Sequence, residues 1–140
     1  MSFKWNFNDN KLVNVNNKYK QLVKAFCQEY YKIYDDDIKK LNKFYKTESK
    51  FTYLDEEFIG FENFCDKIKC NDIRKIIHHD IHATGQPVNE FAMLLNVTGN
   101  MSFHNKQNGE NKFKFSETIL LQRDNENKFS ISNTIFKIID

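Results

Sequence analysis

Residues 90–103, EFAMLLNVTGNMSF, alternate between two sets of positions with a period of two. This period is typical of a β-strand, because successive side chains of a strand point to opposite faces of its sheet. One set is wholly apolar: Phe91, Met93, Leu95 and Val97. The other begins with apolar residues and turns polar: Ala92, Leu94, Asn96 and Thr98. A strand that is apolar on both faces is usually covered on both, so we expect helices on one face and another subunit on the other.

The same period predicts three further strands around this one, at residues 73–84, 113–123 and 129–139. Turn signals separate the strands at residues 85–87 (Gly-Gln-Pro), 105–111 and 124–127. Because the connections are short, the strands should form antiparallel hairpins. The sequence does not separate core from interface positions among the apolar residues of these strands: Met93, Leu94, Met101, Phe113, Phe115, Ile119, Leu121 and Ile135.

Before the strands, the apolar period lengthens to that of a helix. Residues 18–34, 36–45 and 61–68 place apolar side chains three and four positions apart, which predicts three amphipathic helices. Residues 50–54 and 58–59 predict a short strand pair between the second and third helices. Helices followed by strands favour an α+β fold, with the helices packed on one face of a bent sheet.

Composition limits the function. The chain has 140 residues, the size of one domain, and a formal net charge of only +2. Only two residues are Arg, Arg74 and Arg123, so the chain lacks the basic, Arg-rich character of a nucleic-acid binder. No apolar run approaches the ~20 residues of a membrane-spanning helix. The three cysteines are an odd number without zinc spacing, which indicates reduced, buried side chains.

Residues 1–17 differ from the rest of the chain. They are rich in asparagine, lack the apolar core of a signal peptide and carry Phe3, Trp5 and Phe7 at alternate positions. We predict an N-terminal arm over 1–17, either packed through its aromatic residues or a disordered leader, and one domain over 18–140.

Several strings of the chain resemble, in order and spacing, the nuclear transport factor 2 family. They are the helix string FCQEYYKIYD at 26–35, Thr52-Tyr53, Phe58-Ile59-Gly60, Gln86-Pro87, Val97-Thr98-Gly99, and residues 115–121 and 130–136. The resemblance covers about residues 20–139. It implies an α+β cone, in which three N-terminal helices pack inside a strongly bent antiparallel β-sheet.

The resemblance also implies a function. Transport members of the family are not enzymes; they dimerise through the sheet face and bind the phenylalanine-glycine repeats of the nuclear pore. The expected locations are therefore the cytoplasm, the nucleus and the pores of the nuclear envelope. The expected partner is a second copy or a larger mRNA-export receptor, with no cofactor, metal, nucleic acid or membrane involved.

Two kinds of transport member differ at positions that this sequence can be compared with. Carriers of the GTPase Ran in its GDP form use acidic residues around an aromatic-lined cavity. At the matching positions this chain has Tyr53-Leu54, then His104 and Lys106, so the aromatic residue is kept and the acids are not. The acidic residues 55–57 could substitute for them.

Subunits that pair with an export receptor have a strand string similar to Gly99–Phe103. They also have an Asp where this chain has Thr84, two residues before Gln86. We expect an export-subunit-like or divergent member, with a Ran-GDP import carrier as the alternative. The resemblance assigns partner contacts to six residues: Tyr53, Thr84, Gln86, Met101, Phe103 and Phe115.

The alternative from another class is an enzyme, because isomerases and dehydratases share the cone shape. On a regular strand, His78, Asp80 and His82 would point the same way. They could then hold a divalent metal, or Asp80 could orient a histidine as a general base. Same-face residues of a strand lie about 6.6 Å apart, which is loose for one metal ion. We expect these residues to be polar surface or interface side chains.

Overall fold

The computed structural model describes residues 18–70, 73–105 and 109–139. The predicted arm, residues 1–17, lies outside the described residues. In chain order the described elements are α1 (Lys18–Asp36), a 3₁₀ helix (Ile38–Phe44), β1 (Tyr45–Tyr53), β2 (Glu56–Ile59), α2 (Phe61–Cys70), β3 (Ile73–Asn89), β4 (Ala92–Asn105), β5 (Gly109–Arg123) and β6 (Phe129–Ile139). The predicted order of helices, short strand pair, helix and four-strand meander is confirmed.

The six strands form one open sheet in the order β2–β1–β6–β5–β4–β3. Strands β3 to β6 pair antiparallel along the meander, as predicted. Strand β1 pairs parallel with β6, with Phe51 opposite Thr134 and Tyr53 opposite Phe136. The sheet is therefore mixed and not wholly antiparallel. These two strands lie far apart in sequence, so no local spacing indicates their relative direction.

The core lies between the helices and the inner face of the sheet. Helix α1 contributes a buried stripe at helical spacing, with Leu22, Phe26 and Tyr30 among its members. Leu95 and Phe115 meet this stripe from the sheet, and both are fully buried. The structure distinguishes core positions from exposed positions among the apolar strand residues, which the sequence alone could not do. Met93, Met101, Phe115, Ile119 and Leu121 are core, whereas Leu94 and Ile135 are exposed on the opposite face.

The second helix is a 3₁₀ helix and not the predicted α-helix. Its apolar residues Ile38, Leu41 and Phe44 recur every three positions, which is the repeat of a 3₁₀ helix. Asp37 caps it by accepting a hydrogen bond from the backbone N–H of Lys39 at 3.1 Å. An α-helical reading takes Tyr45 as the third apolar position, but Tyr45 begins β1.

The predicted turn at residues 85–87 is wrong. Gly85, Gln86 and Pro87 lie within β3, opposite Leu95, Leu94 and Met93 of β4. Proline is tolerated because β3 is an edge strand. The chain turns instead at Glu90 and Phe91, where the side chain of Asn89 accepts the Phe91 N–H at 2.7 Å. Within the described ranges, no helix has the length and apolar character needed to cross a membrane.

Candidate functional site

We call the face of the sheet turned away from the core the outer face. It carries two rows of side chains that are paired across the strands. The rows are Gln86–Leu94–Leu120–Asn133 and Thr84–Asn96–Thr118–Ile135. Each row combines aliphatic side chains with uncharged polar side chains. Leu94 is 38% exposed and Ile135 is 42% exposed, so none of the described elements covers this face. Such a pattern is typical of the less polar centre of a protein interface.

Two of the six predicted partner residues belong to the outer face. Thr84 and Gln86 are exposed on β3, in adjacent rows. Gln86 stands beside Leu94, which places an amide group next to an exposed aliphatic side chain. These two residues can meet a partner without any change in the domain.

The other four predicted partner residues face the core side. Tyr53, Met101 and Phe115 are each at most 2% exposed. Phe103 is half-buried near the end of β4 and stacks on Phe113, with ring centroids 5.1 Å apart. The strand period shows which residues share a face of the sheet, but it does not show which face the helices cover. Their partner role stays a prediction.

The histidine cluster does not form the predicted row. The β3–β4 register shifts between His79 and His82, and Asp80 takes a left-handed backbone conformation with φ of 55°. This bulge rotates the chain, because an extra residue in one strand breaks the alternation of faces. The His78 side chain is therefore 1% exposed, whereas that of Asp80 is 68% exposed.

The two halves of the cluster have different partners. Asp80 accepts hydrogen bonds from Asn100 at 2.9 Å and from the ring of His79 at 3.2 Å, and these bonds lower its carboxyl pKa. His78 pairs instead with Asp35 of α1 at 2.6 Å. Over the described ranges, no three His, Cys, Asp or Glu side chains come together as ligands for one metal ion.

The centre of the core is polar, which the sequence analysis missed. Glu117 is buried and accepts hydrogen bonds from the hydroxyls of Tyr31, at 2.8 Å, and Thr134, at 2.6 Å. Burial raises the pKa of the Glu117 carboxyl, although these bonds and the nearby His78 oppose the rise. The sequence did contain a signal for this polar centre, because the acidic Glu117 shares the inward face of β5 with Phe115 and Ile119.

Aromatic side chains fill the space around Glu117. Tyr30 packs edge-on against Tyr31 and Tyr34, and its hydroxyl contacts that of Tyr45. Burial raises the pKa of each of these tyrosines. The cavity left among them has a volume of about 10 Å³, room for roughly one water molecule. A substrate does not fit there without displacing core side chains.

Two larger hollows open elsewhere on the described part of the domain. One, of about 820 Å³, runs between α1 and β3 and is lined by Val23, Cys27, Ile81, Ala83 and other residues. Burial, with a smaller contribution from Glu117, raises the pKa of the Cys27 thiol to about 12, which favours the neutral thiol over the nucleophilic thiolate. The second hollow, of about 880 Å³, lies at the β2 end of the outer face and is lined by Thr52, Ile59, Ile135 and residues of α2.

The protein-family model of the nuclear transport factor 2 (NTF2) domain matches residues 22–138 of the chain. The chain belongs to the nuclear transport factor 2 family. Among similar curated proteins is nuclear transport factor 2 of Candida albicans, which is 26% identical over 114 residues, 81% of this chain and 89% of that protein. The match therefore spans the fold and the outer face together.

Solved structures of nuclear transport factor 2 proteins share the same fold. Nuclear transport factor 2 from Cryptosporidium parvum superposes with a TM-score of 0.70 at 24% identity, covering 90% of this chain and 98% of that one. A chain of the C. albicans Mtr2–Mex67 M domain complex superposes with a TM-score of 0.68 at 12% identity, covering 85% and 94%. These likenesses show the α+β cone and leave the partner to be argued from the surface.

Proposed function

We propose that the protein is a non-enzymatic nucleocytoplasmic transport factor that works as half of a dimer, packed through its outer face. The observation that carries the proposal is the pair of exposed aliphatic residues, Leu94 and Ile135, on a sheet face that no described element covers. Burying apolar surface contributes roughly 25 cal/mol per Å². These two rows of uncharged side chains suit a second sheet of the same kind.

The partner can be a second copy or a larger receptor. We favour a receptor of the export type, because a Mtr2–Mex67 complex contains a chain of this shape. The exposed amide of Gln86 and hydroxyl of Thr84 would give that partner hydrogen-bonding groups beside Leu94. In this arrangement the protein acts in the cytoplasm, the nucleus and the pores between them.

A matched pair of leucine variants tests the outer face. Leu94 and Leu54 are 38% and 37% exposed, but Leu54 lies in the turn between β1 and β2. Leu94→Asp should abolish association in light scattering after size exclusion, whereas Leu54→Asp should leave it intact. The proposal would be wrong if the wild-type chain were monomeric alone and also failed to capture a larger receptor from its source cell.

Pore repeats would bind the hollow at the β2 end of the outer face. Ile59 is 60% exposed there, beside the half-buried Phe58, and offers apolar contacts for a phenylalanine ring. Ile59→Lys should weaken binding of a phenylalanine-glycine repeat peptide while the dimer remains. Unchanged peptide affinity would place the repeats elsewhere.

Import of Ran-GDP is the second candidate. Asp55 in the turn after Tyr53 and Glu56 and Glu57 at the start of β2 are all exposed, and they form a run of acidic side chains at the β2 edge of the sheet. Glu56 is paired with Lys67 at 2.6 Å, which leaves Asp55 and Glu57 as the better acceptors for a basic partner. A pull-down with GDP-loaded Ran at low salt tests this function, and Asp55→Lys should reduce any capture. Absence of binding at low salt would exclude it.

The polar core argues against an enzyme. Glu117 and the surrounding tyrosines resemble catalytic groups in type, but the space among them holds about one water molecule. Their hydrogen bonds are made to one another, which is the arrangement of a satisfied structural network.

A further inference from the structure

We propose that the hollow between α1 and β3 binds an extended acidic segment of a partner protein, which adds to the sheet as a strand beside β3. We call this hollow the α1–β3 groove. It adjoins the outer face at Thr84, but its role as a second interaction surface does not depend on the proposed transport function.

The α1–β3 groove runs along both elements, which lie antiparallel to each other. Val23, in the first half of α1, comes close to Gly85 of β3, whereas Asp35, near the end of α1, bonds to His78 at 2.6 Å. The stretch of α1 from Val23 to Asp35 corresponds to about 18 Å of helix axis. Six residues of an extended strand cover about 20 Å. The groove therefore has the length for a segment of about six or seven residues.

One wall of the groove is an edge of β3. This strand is the last of the open sheet, so none of the other described strands pairs with its second edge. Five consecutive residues of β3, 81–85, line the groove. Consecutive side chains of a strand point to opposite faces, so a wall that includes all five is the strand edge with its main-chain groups. Such an edge can accept an added strand through main-chain hydrogen bonds.

Two features of β3 limit the stretch of its edge that can pair. The bulge at Asp80 interrupts the register with β4, and Pro87 has no N–H to donate. Bulges and prolines both protect exposed strand edges from pairing. Residues 82–86, between these two positions, have neither a proline nor a register shift. A partner segment would therefore pair with this stretch.

The other wall of the groove is basic. Lys20, Lys24, Gln28 and Lys32 line the groove and recur every four positions, which places them in one row along α1, the lysine row. All four side chains are exposed, and within the described ranges none of the three lysines forms an ion pair. The one carboxylate of the described lining belongs to Asp35, and both of its oxygens are already hydrogen-bonded to β3. The charge of the groove therefore favours an acidic partner.

The less exposed part of the lining, which we call the floor of the groove, is largely apolar. Val23 and Cys27 are buried there, and Ile81 and Ala83 are half-buried. Steps of four along a helix advance about 6 Å, and same-face side chains of a strand lie about 6.6 Å apart. Glutamates at alternate positions of an added strand would therefore match the lysine row with their carboxylates and the floor with their methylene groups. We favour a peptide over a lipid chain, because a lipid would cover the edge of β3 without pairing its main-chain groups.

A fluorescein-labelled, seven-residue peptide of alternating glutamate and threonine is a suitable probe of the lysine row. Fluorescence anisotropy with the full chain should show saturable binding that weakens as salt is added, because salt screens the ion pairs. Lys24→Glu should weaken binding at least about fivefold, because it brings like charges together. Lys112→Glu is the matched control, since Lys112 is exposed on β5 outside the groove and should leave the affinity unchanged. Equal affinities of the two variants would overturn the proposal.

Two N-methylated forms of the peptide test the strand pairing. Methyl groups on the amides of every second residue block hydrogen bonds along one edge of the peptide only. One of the two alternating patterns should therefore abolish binding, and the other should preserve it. Equal effects of both patterns would overturn the proposal, and so would displacement of the peptide by oleate, which would make the groove a lipid site. Leu94→Asp should bind the peptide as the wild type does, so this proposal and that of the outer face can fail separately.

Discussion

Glu117 is a carboxyl group enclosed by tyrosines, and its surroundings favour the neutral form. Its bonds from Tyr31 and Thr134 join α1 to β5 and β6, so one residue connects three elements of the core. Burial outweighs these bonds and raises the carboxyl pKa above its usual value. As a result, the stability of the fold depends on pH.

Glu117→Gln should remove that dependence. The folded-state pKa is raised, so below the usual carboxyl range both folded and unfolded chains hold the proton, and the site carries no ionisation penalty. As the pH rises, the unfolded chain ionises first, and the free energy of unfolding falls by about 1.4 kcal/mol per pH unit up to the folded-state pKa. Urea unfolding from about pH 4 to about pH 8 should show wild-type stability declining relative to the Gln variant. Parallel pH profiles would contradict the prediction.

At the scale of elements, the contact between α1 and β3 is set by a close approach. A Cβ atom at Gly85 would lie 2.6 Å from Cγ2 of Val23 on α1. Valine is stiff about χ1, so the helix and strand can come this close only because residue 85 is glycine.

Gly85→Ala should therefore destabilise the domain, by about 1–3 kcal/mol from overpacking. Val23→Ala removes the methyl group that the new Cβ would strike, so the double variant should cost at least about 1 kcal/mol less than the sum of the two. Chemical denaturation of the four proteins in this cycle measures the coupling. Additive costs would mean that α1 does not rest on Gly85.

The elements show which features the sequence could predict. Helix α1 and the meander strands were predicted because their apolar periods extend over many residues. The 3₁₀ helix was missed, since Phe44 and Tyr45 both complete an apolar face and only tertiary packing selects Phe44. The β1–β6 pairing was missed because parallel neighbours far apart in sequence leave no turn signal.

The candidate site was predictable to the same degree. The two-faced pattern of residues 90–103 predicted an apolar sheet face that the helices do not cover but another subunit does. Leu94 and Ile135 are exposed on that face, and its cover by a subunit stays a prediction. His78 was grouped with Asp80 because the bulge at Asp80 has no sequence signal such as glycine. Asp35 was not foreseen as its partner, because the two residues are 43 positions apart in sequence.

At the scale of the whole molecule, the outer face predicts a stability that depends on association. If two copies bury this face, the melting temperature of the wild-type chain should rise with protein concentration, because mass action stabilises the associated native state. Leu94→Asp should melt at one temperature at all concentrations. Differential scanning calorimetry over about a hundredfold range of concentration provides the measurement. A concentration-independent wild type would point to the larger receptor as the partner.

The parallel pairing of β1 with β6 also bears on synthesis. Phe51 and Tyr53 of β1 are made early, yet their neighbours Thr134 and Phe136 are among the last described residues to leave the ribosome. Until then, β1 has only the short strand β2 beside it in the sheet, and its aromatic side chains lack part of their cover. Closing a loop of this length is slow, and apolar surface that stays exposed meanwhile is prone to aggregation. Strand β1 can therefore gain its long neighbour only after β6 has been made, whereas the hairpins of β3 to β5 can form as they are made.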